Sequence, residues 1–476
     1  MSVTEQLARF AIESGPSILT NEVAASARLK FLDTIAVMLP GARHASGTSA
    51  LRVAQRMGGK PAATLFVDGE KTSAPLAGFV NGVAAHALEY DDNTRGVGHA
   101  SVLLVPGCLA ISEEAGASGR AMLEAFALGF EITSRIAKGL RPALIDNGWH
   151  PIGIVGGQGV TVAACRLLGL DVLQTRMAMG IMASSGGGVR KNVGTMGKAF
   201  HVGHGVRSGI FAALLAQEGF SVDPDIIEGA DGGGGEGHQR FGLAYTFSGI
   251  GKYRLHLMVE NLGGELEVAR NTTMVRMHPG STAPSSTVDG VIALAKEHSI
   301  DPSDVVELIA ELTPQCVAIA PYPEPSDEHR AKFCLPYTLA VALIDRQVLL
   351  AQYEPRRIAA ADVRALMPRI KIELPADLKH HRGQWGENGI NWGESRITVK
   401  MKDGRVLTKA APYSRGWPED PVAWDDVKTK YAQCAAGILS NSQVAETVEM
   451  IAGLERLDNV AELIRALTPK RVARSG

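Results

Sequence analysis

Cysteine is scarce in this chain. Its five thiols among 476 residues (Cys108, Cys165, Cys316, Cys334 and Cys434) are odd in number, scattered and never paired as CxxC. That spacing argues against a zinc ribbon or a disulfide framework and favours a reducing, cytoplasmic setting. An excess of one charge is also missing: 48 Lys and Arg face 50 Asp and Glu, with no basic tract or acidic tail. Nucleic acid is therefore not an expected partner. No long apolar run is present either. The longest uncharged stretch, Asn147 to Cys165, holds His150, Pro151, Gln158 and five glycines, so it reads as a buried structured segment and not a membrane span. The first residues, MSVTEQLARFAIES, carry acids early and lack the apolar core of a signal peptide. Cofactor signatures fail as well. There is no GxGxxG between a strand and a helix, Gly251-Lys252 lacks the rest of a phosphate loop, and neither GxSxG nor HExxH occurs.

Glycine is what the chain has in plenty. Of its 53 glycines, 33 fall between Gly82 and Gly251, which points to a middle section of tight turns and close backbone approaches. The run Gly232 to Gly235 has no strand before it and no lysine after it, so it reads as a loop and not a phosphate cradle.

The first two-thirds has the periodicity of successive helices. Glu22 to Leu39 places Val23, Ala27, Phe31, Leu32, Ile35 and Met38 at helical spacing, with Pro40-Gly41 as the expected stop. Ala121–Leu140, Thr161–Leu170, Val172–Ala183 and Gly205–Ala216 repeat the pattern, and Ala63–Val67 is a short strand candidate. After residue 268 strand signals enter, at Val305–Leu312, Ile370–Leu374 and a hairpin from Arg396 to Lys409 about Asp403-Gly404. Helices at Ser286–Glu297, Ala331–Ile344 and Ala361–Leu366 lie among them, and helix returns in Val422–Ala435 and Val460–Leu467. The expected fold is mostly α: a large helical domain over 1–268, an inserted smaller α+β lid domain over 269–415, and C-terminal helices over 416–476 returning to the first.

Four polar clusters stand out. Glu89-Tyr-Asp91-Asp92-Asn93, followed by His99-Ala-Ser, puts three carboxylates in four residues, a pattern for acid/base work, for metal binding by Glu89, Asp91, Asp92 and His99, or for a solvated helix end. Trp149-His150-Pro151 holds a lone histidine that also suits a turn. Gly194-Thr-Met-Gly-Lys198-Ala-Phe-His sets a lysine among small and aromatic neighbours, where it can bind a carboxylate or act as a base. Phe333-Cys-Leu-Pro-Tyr337 opens an apolar helix with a tyrosine that also suits a core.

Taken in order, these fragments resemble the MmgE/PrpD family, which includes 2-methylcitrate dehydratase, cis-aconitate decarboxylase and iminodisuccinate epimerase. The resemblance runs from Phe31-Leu-Asp-Thr-Ile-Ala through His86-Ala-Leu-Glu-Tyr-Asp-Asp-Asn, His99-Ala-Ser, His150-Pro-Ile-Gly, Gly194-Thr-Met-Gly-Lys198 and Ile226-Ile-Glu-Gly229 to Phe333-Cys-Leu-Pro-Tyr337. It implies a homodimer with a cofactor-free, metal-free site in a cleft between the domains. The implied catalytic set is Glu89 (Asp in many relatives), His99, His150, Lys198 and Tyr337. Asp91, Asp92, Asn93 and Arg276 are expected to bind substrate. The implied chemistry is proton abstraction next to a carboxylate of a small di- or tricarboxylate, by dehydration or decarboxylation. One departure stands out: after Pro279, the segment to Thr287 holds no histidine, where relatives acting on tricarboxylates usually have one. That keeps epimerisation of an imino-dicarboxylate such as iminodisuccinate in view, beside a non-catalytic carboxylate-binding role.

Overall fold

A computed structural model describes residues 1–229, 241–270, 272–381 and 394–468; the Gly232 to Gly235 run lies outside them. Helix makes up 59% of the chain and strand 9%, so the fold is mostly α. The chain divides into two compact units. One comprises Met1–Ala87, Asp91–Thr272 and Ala423–Gly476, and the other Leu88–Tyr90 and Thr273–Val422.

Among its described residues the first unit is mainly helical, with two-residue strands at Ala63–Thr64, paired with Lys71–Thr72, and at Asn93–Thr94. Its principal helices are α1 (Asn21–Arg43), α2 (Ala74–His86), α3 (Ser101–Ala115), α4 (Gly119–Leu140), α5 (Gly157–Leu167), α6 (Val172–Ser185) and α7 (Met196–Gln217). In α2 and α3 nearly every side chain is buried, as expected of helices with apolar residues on all sides. Small residues let them approach closely. At Gly203 of α7 a Cβ would lie 2.5 Å from the Phe79 carbonyl oxygen of α2, so only glycine permits this crossing.

Helix α1 does not stop at Pro40 as the sequence pattern predicts, but runs on to Arg43 with Pro40 inside it. Proline there removes one hydrogen bond near the end of the helix, where the loss is small. Gly41 is required because a Cβ would collide with the Ala84 carbonyl of α2. The local signal for a stop is a packing residue.

The second unit packs helices on a four-stranded sheet. Its helix α8 (Ser285–Glu297) is followed by β1 (Val305–Leu312), α9 (Leu335–Asp345), β2 (Ile370–Glu373), β3 (Ser395–Met401) and β4 (Val406–Ala411). The strand order is β2-β1-β3-β4. β1 and β2 are parallel, with Leu308 opposite Ile370, and β1 and β3 are antiparallel, with Leu308 opposite Val399. The β3–β4 hairpin pairs Thr398 with Thr408 about the expected Asp403-Gly404 turn. Ile397, Val399 and Met401 alternate inward along β3, joining Val291 and Leu294 of α8 and Leu339 and Leu343 of α9 in one core.

Helix α10 (Trp424–Ala435) belongs again to the helical unit and packs on α1. Its Lys430 Nζ lies 2.7 Å from Asp33 Oδ1 of α1, both side chains at most 1% exposed. This buried ion pair ties the C-terminal segment to the helical unit. The five cysteines are all buried free thiols. Among the described residues no helix is long and apolar enough to cross a membrane.

Candidate active site

The helical unit concentrates imidazoles. α2 ends at His86, α3 begins two residues after His99, His150 precedes the turn into α5, and His201 lies on α7. All four are buried. The His86 and His99 ring centroids are 4.7 Å apart, His86 and His150 stack at 6.4 Å, and His150 and His201 are 5.2 Å apart. The last two are joined through their Nδ1 atoms at 3.1 Å.

Between His86 and His99 the chain folds its acids inward. Asp91 and Asp92 are fully buried and Glu89 is 5% exposed, so the three carboxylates do not form a solvated helix end. Asp91 Oδ1 lies 3.0 Å from His86 Nδ1, and Asp91 Oδ2 lies 2.8 Å from His99 Nδ1. His99 Nδ1 is also 2.8 Å from the Asp92 backbone oxygen. The Asp92 carboxylate accepts a hydrogen bond from the Ser101 hydroxyl at the start of α3. Burial pushes Asp92 up to about 7, opposed by the Ser101 bond and by Lys30 but reinforced by Asp33 and Asp91. Asn93 is half-buried in a two-residue strand.

Lys198 stands in the first turn of α7, 6% exposed. The Thr195 hydroxyl caps this helix by accepting from the Gly197 N–H. Burial first, and the Lys198 charge after it, depress the histidines. His99 is pushed down to about 4 despite the opposing pull of Asp91. His150 falls well below its ordinary value through burial, Lys198, His86, His99 and His201. His201 is likewise lowered to about 4, with burial the largest cause. At neutral pH the site therefore presents neutral imidazoles beside a lysine, an arrangement able to take up a proton and to hold a carboxylate.

Glu89 belongs to the other unit, with its φ at +53°. Its carboxylate Oε2 lies 3.7 Å from Arg276 Nη1, and Arg276, 1% exposed, donates to the Gly280 carbonyl at 2.6 Å. The Gly280 N–H in turn donates to the Glu89 carbonyl at 2.7 Å. Lys332 adds a second buried cation, bonded to Glu328 at 2.7 Å and lowered chiefly by burial. Lys332, Thr338 and Tyr353 help to line a small cavity that Ser281 and His278 also border. Tyr337 is fully buried and donates its hydroxyl to the Gln352 carbonyl; burial raises its pKa.

Within the helical unit, then, Asp91, His99, His150 and Lys198 come together, and within the α+β unit Glu89 meets Arg276. Sequence reasoning missed His86, His201 and Lys332 as site residues. His201 carries a usable signal, since it follows Lys198 by three positions and so shares its face of α7. Among the described residues, the group of His, Cys, Asp or Glu whose ligand atoms lie close enough to share a metal ion is His86, Asp91 and His99, within 4.8 Å of one another. Asp92 is engaged with Ser101 and Glu89 with Arg276, so the four-residue metal set read from the sequence is not the set that converges. The neighbouring Lys198 charge, which lowers His99 and His150, also opposes a cation there.

Residues 5–236 match the MmgE/PrpD N-terminal domain and residues 278–456 the MmgE/PrpD C-terminal domain. The chain belongs to the MmgE/PrpD family. It is 25% identical to the cis-aconitate decarboxylase of Mus musculus over 401 residues, covering 82% of this chain and 78% of that protein. Identity to the Homo sapiens cis-aconitate decarboxylase is 26% over 405 residues, with 83% and 80% covered. A cis-aconitate decarboxylase of Aspergillus terreus is 23% identical over 485 residues, 98% of this chain and 96% of its own. This MmgE/PrpD chain thus spans most of the length of each of these relatives.

Proposed function

We propose that this MmgE/PrpD protein is a lyase working by side-chain acid/base chemistry on a small di- or tricarboxylate, with decarboxylation or dehydration as the reaction. One observation carries the reading: neutral buried imidazoles gathered beside Lys198. A polyanionic substrate adds negative charge beside these rings and raises their affinity for protons. The names of the relatives make cis-aconitate the first acid to try.

In decarboxylation the bond from the methylene carbon to its carboxylate breaks and CO2 leaves. The electron pair shifts along the allylic system, and an imidazolium delivers one proton to the far carbon. In dehydration an imidazole takes the proton next to a carboxylate, and hydroxide departs with a proton from a second acid. In both, the Lys198 charge stabilises the enediolate-like anion. We assign the proton transfers to His99 and His150. Tyr337 is a weaker candidate, because its hydroxyl proton is committed to the Gln352 carbonyl. Within the α+β unit, we assign Arg276, buried beside Glu89, to holding a carboxylate.

A second reading, epimerisation of an imino-dicarboxylate, draws on the absence of histidine between Pro279 and Thr287. Proton NMR in D2O with cis-aconitate, 2-methylcitrate and iminodisuccinate separates the cases. Loss of CO2 or water supports the lyase. Deuterium wash-in without bond cleavage supports the epimerase. Calorimetric binding with no product from any of the three supports a non-catalytic binder.

We also propose a homodimer. Met196, Phe200 and Phe211 lie on one face of α7 and are 44%, 51% and 52% exposed, a stripe that a second copy would cover. Sedimentation showing a monomer at micromolar concentration would remove this part.

A further inference from the structure

We propose that Asp91 is a positioning residue that fixes the tautomer of His86 and, together with the Asp92 carbonyl, that of His99, and that His86 is a member of the site. The proposal rests on the reading of His99 as a proton-transfer group. Asp91 gives one oxygen to each ring, Oδ1 to His86 Nδ1 at 3.0 Å and Oδ2 to His99 Nδ1 at 2.8 Å. The side chains of Asp91 and His86 have no solvent exposure at all.

A carboxylate and a carbonyl oxygen only accept hydrogen bonds. His99 Nδ1 faces both, since the Asp92 backbone oxygen is also 2.8 Å away. Nδ1 must therefore carry the hydrogen, and the Nε2 lone pair of neutral His99 is the one left to take a proton. The same reasoning makes His86 an Nδ1–H tautomer. Its Nε2 is buried and has no hydrogen-bond partner among the described residues. An unpaired acceptor in a buried site is costly, and this one sits on a ring stacked 6.4 Å from His150 and 4.7 Å from His99. The geometry points to His86 Nε2 as an acceptor for a polar hydrogen of substrate or of a site water.

In this arrangement Asp91 touches no substrate. When His99 Nε2 takes a proton, Nδ1–H stays on the Asp92 carbonyl, and the Asp91 carboxylate 2.8 Å away stabilises the imidazolium against burial and the Lys198 charge. The expectation that Asp91 binds substrate is replaced by a role one layer behind it.

Nitrogen-15 NMR of the histidine side chains tests this without any substrate. The wild-type protein should show Nδ1–H and a bare Nε2 on both His86 and His99. A bare Nδ1 on either ring overturns the proposal. In Asp91→Asn the amide offers one acceptor and one donor. His99 remains held by Asp92, so His86 should switch to Nε2–H. With a turned-over substrate, Asp91→Asn should lower kcat at least about tenfold with KM little changed, and shift the acidic limb of the kcat profile to lower pH. His86→Asn keeps a donor for Asp91 while removing Nε2, and should also lower kcat. A rise in KM with kcat retained would make Asp91 a substrate ligand and overturn the proposal. Correct tautomers with no acid turned over would sink the lyase reading and leave this one standing, whereas turnover with the wrong tautomers would do the reverse.

Discussion

The two units bury charge in different ways. In the α+β unit the buried cations Arg276 and Lys332 each face a carboxylate, Glu89 and Glu328, above a core of Val, Leu and Ile set by the sheet. Ion pairing there is close to one carboxylate for each cation. In the helical unit His86 and His99 meet the Asp91 carboxylate, His150 and His201 follow on from His86, and burial strips His99 and His150 of their protons. A matched pair of permanent charges holds its charge state across a wide pH range, whereas a cluster of buried imidazoles can take up protons when an anion arrives. The difference lies in the kind of group each unit buries: fixed charges in one, titratable rings in the other.

The comparison can be broken at several points. The largest effect is expected where the helical unit does use a matched pair. Asp33→Ala leaves Lys430 buried without its carboxylate and should lower unfolding stability by about 3–5 kcal/mol, and adding Lys430→Met should restore much of it. Chemical denaturation of the three proteins measures both steps.

Next come the site residues of the same unit. Lys198→Ala and His150→Ala should each cost at least two orders of magnitude in kcat/KM, about 3 kcal/mol, in protein that folds normally. Near wild-type turnover in both variants would place the chemistry elsewhere.

A comparable effect is expected on stability in acid. His99 binds its proton at about 4 in the folded chain and near 6.5 when unfolded. Between those values the unfolded state holds more protons, so stability falls as pH falls, by roughly 3 kcal/mol for His99 alone. His150 and His201 act in the same direction. Asp92, raised to about 7, takes its proton first in the folded state and opposes them. Asp92→Asn should therefore steepen the loss between pH 6.5 and 4 in thermal melts, and a flatter profile would contradict the assignment.

The smallest effect belongs to the α+β unit. Tyr337→Phe leaves the buried Gln352 carbonyl without its donor, which should cost about 1–3 kcal/mol of stability. Its loss of kcat should be smaller than that of Lys198→Ala, and a larger loss would make the phenol the principal acid.

Much of this was legible in the sequence because local patterns coincide with packing. The alternation of β1 and β3 and the Asp403-Gly404 hairpin read directly, as did the long apolar helices. Pro40 misled because a helix end and a close helix crossing use the same residues. The expectation that Glu89, Asp91, His99, His150 and Lys198 share a site came from the family resemblance, while their division between two units did not. Glu89 stands at a left-handed φ of +53°, a backbone state that a glutamate does not advertise. That turn puts His86 and Asp91 side by side across five positions, which no periodicity reveals. Lys332 was missed because a lone lysine before an apolar helix reads as surface.

The most direct test of the central claim is calorimetry of tricarballylate, an unreactive tricarboxylate, titrated at pH 7 into the free protein in two buffers of different protonation enthalpy. Neutral imidazoles waiting for an anion predict a net uptake of protons on binding, seen as a heat that changes with the buffer. Binding with the same heat in both buffers would mean that the cluster is already charged, or does not meet the ligand, and would contradict the account.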